Sequence, residues 1–430
     1  MERITVREGL PLDVGAETAM AIRHRLVALE AELRPRIGFL SGSAALPVVR
    51  NLVGSVQVSP NLVLDVIPKT EPGQNWAAAL VDLLVDDRVE FGGHTRHAEQ
   101  LPRPALADAF ARVYVNQLDR AVRQEGPLSL LEQRVTSKQR LTGRLDVTRW
   151  VTQSLVRPTH FPQQETVLTV DNDFTRAMSW VAEALAVRCT DPSLASRLRS
   201  TAGRLRPGFP QHTSVDPGVG VRPLPPQWRA YGPAWATACA VLRRVSPLHR
   251  SGIQEGFGLA IEPWPLLERL LVRALHAAAR QAIASGLPLR AQGHSTHPLL
   301  SASPKVEPAP SLGRLAGDRS VEPDGSLWLG KQTVANFEAK YSRAESDATF
   351  RRHVFQVMTT AAALDSPLAV LVYPEQSDPI TWKVHGFNGK PLQLVAVGLD
   401  MFSYRRGHGD ESRGAQLLGI VCPTLLALAD

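Results

Sequence analysis

The chain has 430 residues, which is too many for one simple hydrophobic core, so we expect two or three domains. Hydrophobic residues make up 44% and charged residues 21%, a balance typical of a folded globular protein rather than a disordered or fibrous one. No run of 18 or more apolar residues occurs, so we expect no membrane-spanning helix. The N-terminal stretch lacks the apolar segment of a secretory signal, and a cytoplasmic protein is therefore expected.

The net charge of +7 favours a polyanionic partner, because Lys and Arg side chains that neutralise phosphates release counterions. An Arg-rich and Ala-rich composition gives the same charge without any such partner, so charge alone does not identify nucleic acid. The three cysteines lie far apart in apolar contexts, which predicts buried thiols rather than disulfides or a zinc site. They are Cys189, Cys239 and Cys422.

The first hundred residues predict a small mixed domain that contains β-strands. Apolar residues recur at helical spacing over 16–35, and a second helical stretch covers 75–85. Between them, 50–70 is typical of two short strands around the turn Ser59-Pro60-Asn61. We therefore place an N-terminal β-containing domain at 1–102.

Helices dominate the predicted structure from about 103 to 205. Two stretches there carry apolar residues every three or four positions, and Gly126 is the predicted C-cap of the first. The segment 206–229 is rich in Pro and Gly, which predicts a loop or linker, and 287–318 is a second segment of this kind. We place a helical middle region at 103–250.

The C-terminal domain, at 251–430, is predicted to contain a helix, two strands, a helix and a strand in that order. The stretches are PWPLLERLLVRALHAAARQAIA, VEPDGSLWLG, KQTVANFEAKYS, DATFRRHVFQVMTTAAAL and PLAVLVYP. The two adjacent strands predict an antiparallel hairpin, in which the start of one strand lies beside the end of the other. Asp324 is therefore expected beside Glu338 and Lys340, which share one face because strand side chains alternate with period two.

Two interpretations of this hairpin end are open from the residues alone. An E-x-K pair on a strand is commonly an exposed ion pair, and Pro323-Asp324-Gly325 is ordinary turn chemistry. Alternatively, two carboxylates form a site for Mg²⁺, and a nearby ammonium offsets the charge that develops on phosphorus during hydrolysis. Glu268 and Gln356 can join such a site or be solvated, and His353 is expected at the surface rather than at a metal.

The ordered series of segments resembles the PD-(D/E)xK nuclease superfamily and, more closely, the McrC family of McrBC-type restriction systems. The segments are NLVGSVQVSPNLVLDVIPK, LTGRLDV, TVDNDFTRAMSWVAEAL, PWPLLERLLVRAL, EPDG with FEAKYS, HVFQVMTTAAAL and AVLVYP. Together they span most of 50–375. The departures from the family pattern are Thr142, Thr175, Gly325, Glu338 and Thr360. Gly325 follows Asp324 directly, so it raises the question of whether that carboxylate keeps its register.

The resemblance implies a multidomain α+β and α/β protein whose C-terminal domain has the restriction-endonuclease-like α/β fold. It implies that Asp324 and Glu338 bind Mg²⁺, for which Mn²⁺ substitutes, with Glu268 as an accessory ligand. Lys340 is then the catalytic lysine, and Gln356 organises either the DNA or the catalytic site.

The resemblance also implies partners. DNA is the expected substrate, and a McrB-like AAA+ GTPase hexamer is expected to read the modified base and translocate the DNA. The N-terminal half of this chain would dock on that ring and stimulate it. No glycine-rich nucleotide-binding loop occurs in the sequence, so nucleotide chemistry is assigned to the partner. Cleavage of both strands needs two active centres, so a second copy of the chain is a further expected partner, and no membrane is expected.

Two other functions fit the same residues. One is a non-catalytic adaptor that regulates an AAA+ NTPase and uses a degenerate nuclease fold to bind DNA. The other is a repair or recombination nuclease with a different motor. Retention of Asp324, Glu338 and Lys340 favours a nuclease, because like-charged carboxylates are costly to keep together without a use. The basic stretch 401–414 is interpreted as a solvated surface loop or as a phosphate contact.

Overall fold

The computed structural model describes residues 2–33, 35, 37–43, 46–59, 61–70, 76–84, 106–209, 215, 217–242, 259–301, 318–342, 347–385, 392–405 and 409–429. The chain divides into two compact units. The first consists of Met1–Leu84, Glu90–Pro104 and Ala260–Asp430, and the second of Val85–Val89 and Ala105–Leu259. Segments from both ends of the chain thus share one unit, and the division into domains at 1–102, 103–250 and 251–430 stays a prediction.

The N-terminal part of the first unit is a four-stranded sheet. Its strands are β1 (Glu2–Arg7), β4 (Val53–Ser59), β5 (Leu62–Ile67) and β9 (Leu259–Ile261), in the order β1-β5-β4-β9. The hairpin predicted within 50–70 is confirmed as β4 and β5, with Val56 opposite Leu64. A two-stranded ribbon and the two predicted helices accompany the sheet: β2 (Leu40–Gly42), β3 (Pro47–Val49), α1 (Ala16–Leu33) and α2 (Trp76–Leu84). Ile22, Leu26 and Phe39 are fully buried in the core that covers this sheet.

The C-terminal part of the first unit is built on a six-stranded sheet. Its strands are β10 (Leu289–Gln292), β13 (Gly325–Leu329), β14 (Gln332–Ala339), β15 (Leu368–Tyr373), β16 (Gln376–Val384) and β17 (Leu392–Leu399), in the order β10-β13-β14-β15-β17-β16. The helices are α8 (Trp264–Ala284), α9 (Asp347–Leu364) and α10 (Asp410–Ala429), and β11 (His297–Leu300) pairs with β12 (Arg319–Val321). β15 is apolar along its whole length because both faces of this central strand are covered.

The predicted order of helix, hairpin, helix and strand is confirmed by α8, β13, β14, α9 and β15. Two expectations for the surrounding segments are wrong. The segment 287–318, expected to be a loop, contains β10 and β11, and much of its remainder lies outside the described residues. The stretch 401–414 contains a 3-10 turn, Met401–Ser403, and the start of α10, and its Arg413 is buried.

The second unit combines helices with a small sheet. The helices are α3 (Leu106–Glu125), α4 (Val147–Ser154), α5 (Asp173–Ala186), α6 (Pro192–Leu205) and α7 (Gly232–Leu242). Helices dominate here as expected, but the sequence did not predict the sheet that β6 (Leu130–Lys138), β7 (Arg144–Leu145) and β8 (Phe161–Thr169) form in the order β6-β8-β7. Gly126 ends α3 as predicted, with a φ of 73° and its N–H donating to the Val122 carbonyl.

Two of the departures from the family pattern stabilise local structure in this second unit. Thr175 and Asn172 cap α5 reciprocally, since each backbone N–H donates to the other side chain over 3.1 Å. The Thr142 N–H donates to the Gln163 Oε1 over 2.6 Å, and the Thr142 hydroxyl donates to Glu165. Each threonine therefore differs from the residue that is usual in the family and makes hydrogen bonds of its own at that position.

Among the helices that the structure describes, none combines the length and the apolar composition needed to cross a membrane. The three cysteines are free thiols, of which Cys239 is buried and the other two are partly exposed.

Candidate active site

The hairpin of β13 and β14 brings Asp324 to the end of the second strand. Gly325 lies opposite Phe337, and the Ala339 N–H donates to the Asp324 Oδ2 over 2.7 Å. The register question that Gly325 raised is thus answered, because the carboxylate is held at the predicted place. A Cβ at position 325 would lie 2.3 Å from the Leu275 Cδ1 of α8, so glycine leaves room for this side chain of the helix against the hairpin.

Glu338 is enclosed by three side-chain donors. Only 1% of its side chain is exposed, and its Oε2 accepts from the Lys340 Nζ over 3.0 Å and from the Gln356 Nε2 over 2.9 Å. The Thr360 hydroxyl donates to its Oε1 over 3.1 Å. Burial raises the pKa of the Glu338 carboxyl, which Lys340 opposes and Asp324 reinforces. The E-x-K pair is therefore a buried ion pair and not an exposed one.

Lys340 is fixed from two sides. Its Nζ donates to the Gln356 Oε1 over 3.0 Å in addition to its bond with Glu338, and its backbone N–H donates to the Val372 carbonyl of β15. Gln356 belongs to α9, so the helix that follows the hairpin orients the ammonium. Gln356 is a predicted site residue, whereas the contact of Thr360 with Glu338 is not predicted. A signal for it exists in the sequence, because Thr360 follows Gln356 by one helical turn and shares its face.

A second group of side chains meets at Asp324. Glu268 of α8, His294 and Asp324 each offer one ligand atom, and these atoms lie within 4.8 Å of one another. His294 Nε2 is 3.4 Å from Glu268 Oε2, and His294 Nδ1 is 3.9 Å from Asp324 Oδ1. An octahedral ion with bonds of about 2.1 Å separates adjacent ligands by roughly 3.0 Å and opposite ones by roughly 4.2 Å. Small inward movements therefore suffice for these residues to hold a metal ion.

The predicted site residues fall into these two neighbouring groups. Glu268 is placed with Asp324, and 17% of its side chain is exposed, which is unlike a solvated charge. Glu338 accepts hydrogen bonds from Lys340, Gln356 and Thr360, and its predicted role as a metal ligand stays a prediction. His294 is absent from the predicted site, because it lies in the segment that was expected to be a loop.

His353 is a half-buried residue rather than the surface residue that was expected. Its Nδ1 lies 3.1 Å from the Tyr373 hydroxyl and its Nε2 lies 3.5 Å from the Ser342 hydroxyl. Burial, together with the positive charges of Lys340, Arg352 and Lys69, lowers the pKa of His353 to about 4. The imidazole is therefore neutral at physiological pH.

The N-terminal segment contacts the end of the strand that carries the candidate site through a buried carboxylate. Glu8 Oε2 accepts from the Tyr341 hydroxyl over 3.1 Å, and Glu8 Oε1 accepts from the Asn51 N–H over 2.6 Å. The Lys69 Nζ lies 3.9 Å from Glu8 Oε1 and 4.5 Å from the centre of the Tyr341 ring. Tyr341 directly follows Lys340, so these contacts place the N-terminal segment next to the candidate site.

Comparisons with known proteins identify the family. The family model described as McrBC 5-methylcytosine restriction system component matches residues 48–374, which is more than half of the chain. A search of curated proteins found no match. A solved structure from Thermococcus gammatolerans, described as a refined half-complex from a tetradecameric assembly of McrB AAA+ hexamers with bound McrC, contains a similar chain. The two chains are 16% identical with a TM-score of 0.60, and the match covers 98% of this chain and 100% of that one.

A cryo-EM structure of the Thermococcus gammatolerans McrBC complex also matches, at 16% identity and a TM-score of 0.44, over 64% of this chain and 88% of that one. The family match confirms the family that the ordered motifs predicted. The chain belongs to the family of McrBC 5-methylcytosine restriction system components.

Proposed function

We propose that this protein is the McrC-type subunit of an McrBC-like restriction complex and acts as a metal-dependent DNA endonuclease. The observation that carries the proposal is the network of hydrogen bonds that Lys340, Gln356 and Thr360 donate to the buried carboxylate of Glu338, beside the carboxylate of Asp324. Burying a carboxylate costs several kcal/mol unless it is paired and hydrogen-bonded, and a purely structural hairpin gains more from apolar residues. The order of helix, hairpin, helix and strand around the network supports the proposal, because the resemblance to the PD-(D/E)xK nucleases rests on this order.

The side chains have distinct tasks in phosphodiester hydrolysis. Glu268, His294 and Asp324 would hold the divalent cation, Mg²⁺ by the family resemblance, beside Glu338. When bound, such an ion polarises a phosphoryl oxygen and lowers the pKa of its water. Lys340 has three N–H donors, of which two contact Glu338 and Gln356, so the third is available to a phosphate oxygen or to the attacking water. The fixed ammonium then stabilises charge that develops on phosphorus.

The proposal includes an AAA+ GTPase partner of the McrB type that reads the modified base and moves the DNA. Two facts support it: the sequence lacks a glycine-rich nucleotide-binding loop, and the similar solved structure is an assembly of McrB AAA+ hexamers with bound McrC. We place ring docking and stimulation of the partner in the N-terminal half. A second copy of this chain would cleave the opposite DNA strand.

The test is cleavage of a plasmid that contains methylated cytosine, in the presence of the partner NTPase, nucleotide and Mg²⁺. Wild type is compared with Lys340→Ala and with Lys331→Ala, a matched control in the exposed turn of the same hairpin. We expect Lys340→Ala to lower the cleavage rate by about 100-fold or more, since a fixed charge at the reacting phosphate is lost. Lys331→Ala should cut at the wild-type rate, and EDTA should stop both.

The partner's NTP hydrolysis is the second readout. It should rise equally with wild type and both variants, which shows that Lys340→Ala is folded and docked. Equal cutting by wild type and Lys340→Ala would refute the catalytic role of Lys340. If no form cuts the DNA while all stimulate the partner, the chain is a non-catalytic adaptor.

A further inference from the structure

We propose that Glu268, His294 and Asp324 form a mixed nitrogen and oxygen centre that prefers first-row transition-metal ions such as Mn²⁺ to Mg²⁺. His294 supplies the nitrogen ligand. The proposal deepens the proposed function, because it concerns the ion that the nuclease would use. Binding measured without DNA or partner tests it separately.

The three ligands come from different elements that the fold holds together. Glu268 lies in the second turn of α8, and Asp324 directly precedes β13. His294 follows β10 by two residues, and β10 pairs with β13 so that Gln292 lies opposite Ser326. The strand pairing therefore fixes the backbone of His294 beside that of Asp324, although 30 residues separate them in the sequence.

Both carboxylates place one oxygen near the imidazole of His294, and one ligand atom from each of the three residues lies within 4.8 Å of the others. Asp324 uses its Oδ2 to accept from the Ala339 N–H, while its Oδ1 is the oxygen nearest to His294. The Glu268 Oε2 lies 3.4 Å from the other ring nitrogen, Nε2. Two carboxylate oxygens thus flank one ring. A protonated imidazole between them is the competing explanation, and it predicts that no metal ion binds there.

The nitrogen donor determines the preference among ions. Mg²⁺ favours oxygen ligands and gives up its waters reluctantly, whereas imidazole is a good ligand for transition-metal ions. The affinity of one site for such ions increases from Mn²⁺ through Co²⁺ to Ni²⁺. A centre of two carboxylates and one imidazole therefore differs from the all-oxygen site that the sequence predicted, in which Mn²⁺ was only a substitute.

The experiment is isothermal titration calorimetry of the full chain with MnCl₂ and, separately, with MgCl₂ at neutral pH. We expect wild type to bind Mn²⁺ about tenfold or more tightly than Mg²⁺. His294→Ala should weaken Mn²⁺ binding by about tenfold or more, and it should change Mg²⁺ binding less. His294→Asp, which replaces nitrogen with oxygen, should reduce the preference for Mn²⁺ while it retains metal binding.

The matched control is His276→Ala. His276 is exposed on α8, eight residues and therefore about 12 Å of helix beyond Glu268, and its loss should leave both affinities unchanged. Equal affinity of wild type for the two ions, or Mn²⁺ binding by His294→Ala as tight as by wild type, would overturn the proposal. If Mn²⁺ binds as expected but the protein cleaves no DNA, the proposed metal centre is supported and the proposed nuclease activity is refuted.

Discussion

Single residues of the candidate site are held in charge states that their surroundings determine. Glu338 stays paired because Lys340, Gln356 and Thr360 all donate to its carboxylate, and removal of one partner from a buried ion pair typically costs about 3–5 kcal/mol. His353 shows the opposite case, since burial beside positive charges keeps its ring neutral. The site therefore contains one cation, Lys340, which Glu338 holds in place, and one uncharged imidazole, that of His353.

The lowered pKa of His353 predicts a pH-dependent stability. The unfolded chain binds a proton at His353 near pH 6.5, whereas the folded chain does so only near pH 4. Between these two pH values the unfolded chain binds more protons than the folded chain. The free energy of unfolding therefore decreases as the pH falls from 6.5 to 4. His353→Gln lacks this imidazole. We therefore expect its free energy of unfolding, relative to that of wild type, to increase as the pH falls over that range.

The measurement is urea unfolding at several pH values across the window between the unfolded and folded pKa values of His353. His276→Gln serves as the control for the loss of an imidazole, because His276 is exposed. A constant difference between His353→Gln and wild type would show that His353 titrates normally in the folded protein.

At the scale of elements, the sequence predicted the hairpin and its neighbours because their patterns are local. The alternation in 333–340 and the helical spacing in 347–364 are present within single segments. The sheet of β6, β7 and β8 was missed, since Leu131 and Val135 of β6 are exposed and no buried apolar face marks the strand. His294 could not be assigned to the site, because only the pairing of β10 with β13 brings it to Asp324.

The close packing of α8 on the hairpin predicts the effect of a side chain at Gly325. The Cβ of Gly325→Ala would lie 2.3 Å from the Leu275 Cδ1, so the Leu275 side chain, the helix or the strand must shift. Such overpacking typically costs about 1–3 kcal/mol, and a shift of Asp324 should also weaken metal binding. Thermal unfolding and the calorimetric Mn²⁺ titration would measure both effects.

Gly419→Ala is the matched control for this change. Gly419 lies within α10, and a Cβ at this position would have no described atom within 4 Å, so alanine should stabilise the helix by up to about 1 kcal/mol. Unchanged stability and metal affinity in Gly325→Ala would mean that the Leu275 side chain moves aside without a measurable loss of free energy.

At the scale of the whole molecule, the first unit joins segments from the two halves of the sequence. Glu8 and Tyr341 are 333 residues apart, yet they share a buried hydrogen bond one residue from Lys340. Burial raises the pKa of Glu8, which Lys69 opposes. The N-terminal strands, which are expected to dock the partner, therefore contact the strand end that carries the candidate catalytic lysine.

We predict that Tyr341→Phe lowers DNA cleavage more than it lowers stimulation of the partner. The change removes the hydroxyl that donates to Glu8 and should cost about 1.5–3 kcal/mol of stability, as for hydrogen bonds to charged groups. Tyr114→Phe is matched to it, because this buried hydroxyl donates to the Met178 carbonyl within the second unit. Equal effects of the two variants on cleavage would show that Tyr341 acts through stability alone.

The division of the chain into units also orders its folding during synthesis. All of the second unit leaves the ribosome before Ala260, so it can fold while the first unit still lacks its C-terminal sheet. Glu8 and the N-terminal strands must wait for Tyr341, which at about 5–20 residues per second takes roughly 17–67 s. During that interval Glu8 lacks its hydroxyl partner, and the early strands lack the C-terminal segment that they contact in the folded protein.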